Sequence, residues 1–186
     1  MAESVGNGLT SDHSRAHLQR MNVPFLVRRA TLADVSTLAR HRAEMFRDIH
    51  GIADDQYDAM TEASRRYFES ALPEGEYLAW LAEPESSPGT IAGGAGMQVR
   101  RALPGISRRP GIPEVTTGPQ GLVLNVFTER AWRRRGLARL LMEHVIAGAR
   151  MTGVTTLVLH ASAEGRPLYE ALGFSPTNEM RYAGEL

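Results

Sequence analysis

Apolar positions along the chain change period several times, and each change marks an element. Phe25-Leu26-Val27-Arg28-Arg29 predicts a short strand. Thr31, followed three residues later by Asp34, has capping-box spacing and predicts a helix start. Leu32, Val35, Leu38, Met45 and Ile49 then recur at helical spacing until Gly51. Asp54 and Asp55 open a second helical run, whose imperfect stripe of Met60, Tyr67, Phe68 and Leu72 stops before Pro73. Tyr77 to Ala82 predicts a strand, and Thr90 to Arg100 its hairpin partner, weakened by Gly93, Gly94 and Gly96.

Leu103 to Gly121 is a long loop with four prolines and four glycines, a length more typical of lids and binding loops than of plain connections. Beyond it, Leu122-Val123-Leu124-Asn125-Val126-Phe127-Thr128 is a strongly apolar strand. Gly136 to Arg150 predicts a helix with Leu137, Leu140, Leu141, Val145 and Ile146 toward the core, capped at its end by Gly153. Val154 to His160 reads as another buried strand, Glu164 to Leu172 as a short helix, and Gly173 onward as an extended segment. This strand–helix–strand order requires a parallel pair joined by a crossover helix. The chain contains no internal repeat and no second domain. Residues 1–24 are polar and are expected to form a disordered extension, with Met21 an alternative start; residues 25–186 are expected to be one domain.

Composition narrows the function classes. A chain of 186 residues suits one domain with a substantial core. Its formal net charge of zero provides no global field toward nucleic acid or an acidic membrane. There are no cysteines, which excludes disulfides, thiolate metal sites and a cysteine nucleophile. All 21 basic residues are arginine, so no lysine can form a Schiff base. No apolar run approaches the roughly 20 residues that span a bilayer.

The candidate chemistry lies where the apolar strand gives way to the next helix. Trp132-Arg133-Arg134-Arg135-Gly136-Leu137-Ala138-Arg139 places arginines and a glycine at a helix start. A helix N-terminus presents unpaired N–H groups and partial positive charge, and arginines can clamp the same anion. The cluster therefore suits a diphosphate, although a solvated basic turn would carry the same residues. Nucleic-acid binding is disfavoured by the neutral chain and by the lack of aromatics interleaved with the basic residues.

The pattern Arg133-x-x-Gly136-x-Ala138, after a strand ending Val126-Phe127-Thr128, resembles the coenzyme A signature of the GCN5-related N-acetyltransferases (GNAT). A second block also resembles that family. It comprises Leu157-Val158-Leu159-His160-Ala161-Ser162, then Gly165-Arg166-Pro167-Leu168-Tyr169-Glu170-x-Leu172-Gly173-Phe174, with Pro176 to Arg181 as its tail. The resemblance implies an α+β, three-layer fold with a twisted, mostly antiparallel sheet of six or seven strands. That sheet would be splayed at two central parallel strands and accompanied by about four helices. Acetyl-CoA would lie in the split. The backbone of Val126, Phe127 and Thr128 would pair with the pantetheine arm, and the segment Arg133, Arg134, Arg135, Gly136, Leu137, Ala138 and Arg139 would hold the pyrophosphate.

The same resemblance implies direct acetyl transfer to a primary amine through a tetrahedral intermediate, with Tyr169 beside the sulfur as general acid. Ser162 stands where many members carry asparagine near the pantetheine. The general base is not evident, because Leu122, Val123 and Leu124 are apolar where some members place a carboxylate or histidine. Asn125 is expected to orient substrate or water, or else to sit hydrogen-bonded at a strand bulge. Glu44 is the candidate on the acceptor side, with Asp48 and His50 weaker ones, and His160 is a candidate base or cofactor neighbour. The histidines show no metal spacing, although His41 and Glu44 are near in sequence. The expected partner is a small-molecule amine in the cytoplasm of a bacterium, not nucleic acid or membrane, with a homodimer as the commonest closed assembly. A catalytically idle acyl-CoA-binding regulatory module and an arginine-rich nucleic-acid-binding domain are the alternatives.

Overall fold

A computed structural model of the chain describes residues 24–106, 114–180 and 182. The expected N-terminal extension falls outside the described residues, apart from Pro24. Strand β1 (Phe25–Arg29) leads through a 3-10 turn (Leu32–Asp34) into α1 (Val35–His50) and then α2 (Asp54–Ala71). Strands β2 (Tyr77–Pro84) and β3 (Gly93–Arg100) form a hairpin. A two-stranded ribbon, β4 (Gly105–Ile106) with β5 (Val115–Thr116), lies within the segment predicted as a long loop. Then follow β6 (Gln120–Thr128), α3 (Leu137–Met151), β7 (Thr156–Leu159) and α4 (Arg166–Ala171).

The main sheet runs β1-β2-β3-β6-β7, antiparallel except for the β6–β7 pair, so the described residues form seven strands in two sheets. Helices cover both faces, and β2 shows why. Its alternate residues Tyr77, Ala79 and Leu81 pack with Val35, Leu38, Ala39, Phe68 and Ala71 of α1 and α2. Leu78, Trp80 and Ala82 point the other way, toward Leu137, Leu141, Met142, Val145 and Ala149 of α3. Period-two alternation in a strand buried on both sides thus produces the three layers. No helix among the described residues is long and apolar enough to cross a membrane.

Four expectations need adjustment. Leu32 and Ile49, counted into the first helical stripe, are exposed; Val35 and Leu38 are buried, and Ala39 and Ala43 complete the inward face. The strand expected at Val154 to His160 is shorter and less buried. It is an edge strand of the main sheet, so its backbone pairs with a strand on one side only among the described residues. The glycines of β3 are sites of close approach more than weak points: a Cβ on Gly96 would stand 2.0 Å from the Tyr77 hydroxyl oxygen. Finally, Asp34 does more than cap. Its carboxylate accepts hydrogen bonds from the Thr31 N–H and from two nitrogens of Arg28, which outweigh burial and hold its pKa below the ordinary value.

Candidate active site

Strand β6 departs from both neighbours at its C-terminal half. Its parallel pairing with β7 ends at Val123–Leu159, leaving the edge from Leu124 to Thr128 without a strand partner on that side among the described residues. On the other side, Gly96 pairs with Leu124 and Gly94 with Phe127, so Asn125 and Val126 together oppose Ala95. This is a β-bulge, and Asn125 has a left-handed backbone with φ of 55°. The extra residue resets the alternation: Leu124 packs beside the α1–α2 cluster, and Asn125 bonds to Arg42 of α1 on that same face. Val126 turns to the α3 side and Phe127 back to His41. The bulge, expected as one of two readings of Asn125, is what aims that side chain at the acceptor face.

After Thr128 the chain makes a 3-10 turn (Arg130–Trp132) and enters α3 through Arg133 to Gly136. Arg134 and Gly136 are left-handed, with φ of 61° and 77°. A Cβ on Gly136 would meet nothing within 4 Å, so glycine is required there by conformation and leaves open space in front of the helix. The N–H groups of Arg134, Arg135 and Gly136 have no backbone partner among the described residues. Those of Leu137, Ala138 and Arg139 belong to the first helical turn, which lacks intrahelical acceptors. Alternating left-handed residues before a helix N-terminus form an anion-binding concavity.

The arginines of this segment divide their roles. Arg133 turns inward: its Nε donates to the Thr128 carbonyl at 3.0 Å, and its Nη2 donates to Asp48. Arg130 donates to the other Asp48 oxygen at 2.9 Å. Burial pushes the Asp48 pKa up, but hydrogen bonds from Arg133 and Arg130 outweigh it and hold the carboxylate below its ordinary value. Asp48 therefore anchors the basic turn to α1. Arg135 stacks on Trp132, with its guanidinium carbon 4.9 Å from the ring centroid, while Arg134 and Arg139 are exposed.

Opposite the open edge, β7 and α4 supply Tyr169. It is half-buried, and burial raises its phenol pKa above the ordinary value, so the hydroxyl keeps its proton at neutral pH. With Leu159, His160, Arg166 and Phe174 it lines a cavity of about 260 Å³. The Ser162 hydroxyl accepts the Gly165 N–H at 3.1 Å and so secures the turn into α4. His160 is solvent-facing, not enclosed in a buried strand, and its Nδ1 lies 3.5 Å from Glu179.

A second cavity, of about 370 Å³, lies between α1, α2 and the sheet. Asn125 lines it, but Glu44 does not. Glu44 accepts the Tyr57 hydroxyl at 3.0 Å and lies 3.9 Å from Arg47, linking α1 to α2. Arg42, Ser64, Tyr67, Tyr77 and Gln98 supply the other polar lining and were missed in the sequence. Two of them were signalled by gaps. Arg42 fills the vacant place between Leu38 and Met45 in the first helical stripe, and buried Ser64 that between Met60 and Phe68 in the second. His41 and Glu129 also come together, 3.3 Å apart. Burial lowers the His41 pKa to about 4, Arg40 adds to this and Glu129 opposes it, so this ring is neutral at neutral pH. No group of three or more potential metal ligands occurs among the described residues.

A twisted sheet parted beside a helix N-terminus, with helices on both faces, defines an acyl-CoA-binding class of fold, and known proteins agree. The family described as acetyltransferase (GNAT) domain matches residues 112–185. A GCN5-related N-acetyltransferase from Ralstonia eutropha JMP134 is 30% identical, the match covering 86% of this chain and 97% of that one at a TM-score of 0.72. A predicted acetyltransferase from Clostridium acetobutylicum, crystallised with acetyl-CoA, is 25% identical over 87% of this chain and 96% of its own, at a TM-score of 0.69. The [ribosomal protein bS18]-alanine N-acetyltransferase of Salmonella typhimurium is 35% identical over 65 residues, 33% of this chain and 44% of the relative, so the chain matches under half of that protein. The chain belongs to the GCN5-related N-acetyltransferase family, whose cofactor is acetyl-CoA.

Proposed function

We propose that this protein transfers an acetyl group from acetyl-CoA directly to the primary amine of a small molecule. One observation carries the reading: the unpartnered edge of β6 runs straight into the left-handed Arg134–Gly136 turn and the start of α3. The residues suit the cofactor. Apart from the Thr128 carbonyl, which Arg133 engages, backbone groups from Val126 to Thr128 on that edge match an extended amide-bearing arm, and the N–H groups of Arg134 to Arg139 match a diphosphate.

When bound, acetyl-CoA supplies an activated thioester. The chain's own residues account for the remainder. An N–H on the β6 edge holds developing negative charge on an oxygen. Tyr169 holds a proton on Oη, kept there by burial, for donation to a departing sulfur. Asn125, fixed by Arg42, orients the acceptor from the β6 wall of the second cavity. The lining of the acceptor cavity contains no carboxylate and no histidine, which supports proton removal through water.

The acceptor cavity, of about 370 Å³, has the volume of a small-molecule site, which favours a small molecule over a polypeptide even though the Salmonella relative is named for a ribosomal protein. Isothermal titration of acetyl-CoA, followed by thiol release over an amine panel, tests the reading. The protein has no cysteine, so every thiol detected comes from coenzyme A. Saturable binding with amine-dependent release is expected. Absence of acetyl-CoA binding overturns the proposal, and binding without release over any amine converts it to a regulatory acyl-CoA module.

A further inference from the structure

The acceptor cavity has one cationic side chain, Arg42, and no anionic one in its lining. Arg28, Arg40, Arg47, Arg130 and Arg133 each contact a carboxylate, whereas no carboxylate of the described residues lies within ion-pair distance of Arg42. Its Nη1 donates to Asn125 Oδ1 at 2.8 Å, and its guanidinium carbon lies 5.0 Å from the Phe46 ring centroid. A half-buried guanidinium with a neutral partner retains unsatisfied charge and spare donors. Two further polar groups line the same space, each deeply buried, and the second hydrogen-bonds to the first. These are the Tyr77 hydroxyl, on a residue 1% exposed, and Asn125 Nδ2, on a residue 4% exposed. Burial raises the Tyr77 pKa, so its hydroxyl also remains a donor.

These groups converge on a cavity whose other walls, Met60, Ala63, Phe68 and Leu124, are apolar. A half-buried guanidinium with spare donors and no carboxylate partner among the described residues is complementary to an anion. One planar guanidinium matches a carboxylate better than a dianionic phosphate, which calls for more positive charge. Asn125 also adjoins Val126, the first residue proposed to bind the pantetheine arm, so an anion held at Arg42 stays within a few bonds of the reacting centre.

We propose that the acceptor is an amine that carries its own carboxylate, an amino acid or a close analogue, and that Arg42 is the residue that selects it. This rests on the acetyltransferase reading above. A peptide N-terminus, whose neighbouring carboxylate has become an amide, is excluded by the same chemistry.

The test pairs each free amino acid with its carboxamide and adds phosphorylated amines and short peptides. Acetylation is followed by thiol release, alongside titration of acetyl-CoA. The expected result is a preference in kcat/KM for the carboxylate over its amide of roughly 10- to 100-fold, the range for a hydrogen-bonded charge. Arg42→Gln should abolish that preference and Arg42→Lys keep part of it, while both bind acetyl-CoA as the parent does. Acetyl-CoA binding with no carboxylate favoured over its amide, or a preference unchanged in a folded Arg42→Gln protein, overturns the proposal. So does preference for the phosphorylated amines or peptides. Loss of acetyl-CoA binding by the parent itself strikes the underlying acetyltransferase reading instead.

Discussion

The region proposed for the cofactor and the region proposed for the acceptor are built in different ways. The cofactor side depends mainly on backbone: an unpaired strand edge, two left-handed residues and a helix N-terminus. The acceptor side depends on side chains from α1, α2, β2, β3 and β6, brought together from positions as distant as Arg42 and Asn125. Under the proposed function, backbone donors recognise the cofactor that every reaction of the family shares. Side chains can change without altering the fold, so they can distinguish one amine from another. The bulge at Asn125 and Val126 joins the two regimes, because one extra residue opens the ladder and also redirects a polar side chain to the acceptor face.

If that division is correct, the largest effect comes from placing charge on the cofactor side. Gly136→Glu should weaken acetyl-CoA binding about 1000-fold, since like charges a few ångströms apart in a partly buried site repel by about 4 kcal/mol. Gly136→Asn, which tolerates the left-handed backbone, controls for conformation and should retain most of the affinity in titration. Equal losses in the two variants would mean that the turn acts through its shape and not as an anion site.

Next in size, Tyr169→Phe should lower kcat roughly 100-fold while leaving acetyl-CoA affinity nearly unchanged. A matched loss of affinity would make Tyr169 a packing residue against Phe174, whose ring centroid is 6.1 Å away.

His41 links stability to pH. Its folded pKa, about 4, lies below the ordinary 6.5, so the unfolded chain takes up a proton first as pH falls. Its contribution is complete above pH 6.5 and is lost progressively toward pH 4. Urea unfolding should therefore show stability dropping by roughly 2 kcal/mol between pH 7 and 4.5. Asp34 and Asp48, held low by arginines, lose their contributions at more acid pH. A flat profile across that window would mean that His41 titrates alike in the folded and unfolded chain.

On the acceptor side, Gly96→Ala should cost about 1–3 kcal/mol, because the new methyl would overlap the enclosed Tyr77 ring. At a temperature where the variant stays folded, acetyl-CoA should bind normally while acceptor KM rises. An unchanged KM would remove Tyr77 from the acceptor site.

What the sequence determined by itself was local. Arg133-x-x-Gly136-x-Ala138 after an apolar strand is a contiguous signal, and a contiguous segment is enough to build a helix N-terminus with free donors. The alternation in β2 and the stripes on the helices likewise fixed the layers, because side-chain direction follows from backbone period. The polar lining of the acceptor cavity was not legible in this way. Glu44 looked like its natural carboxylate, yet tertiary packing gave it to Tyr57 and left Arg42 at the cavity. Asp48 looked like a substrate ligand and instead anchors two arginines. Which partner a polar side chain meets depends on helix rotation and strand register, and a single bulged residue in β6 shifted that register. The pairings of Arg42 with Asn125 and of Asp48 with its two arginines join residues more than eighty positions apart and are decided only once the layers are packed.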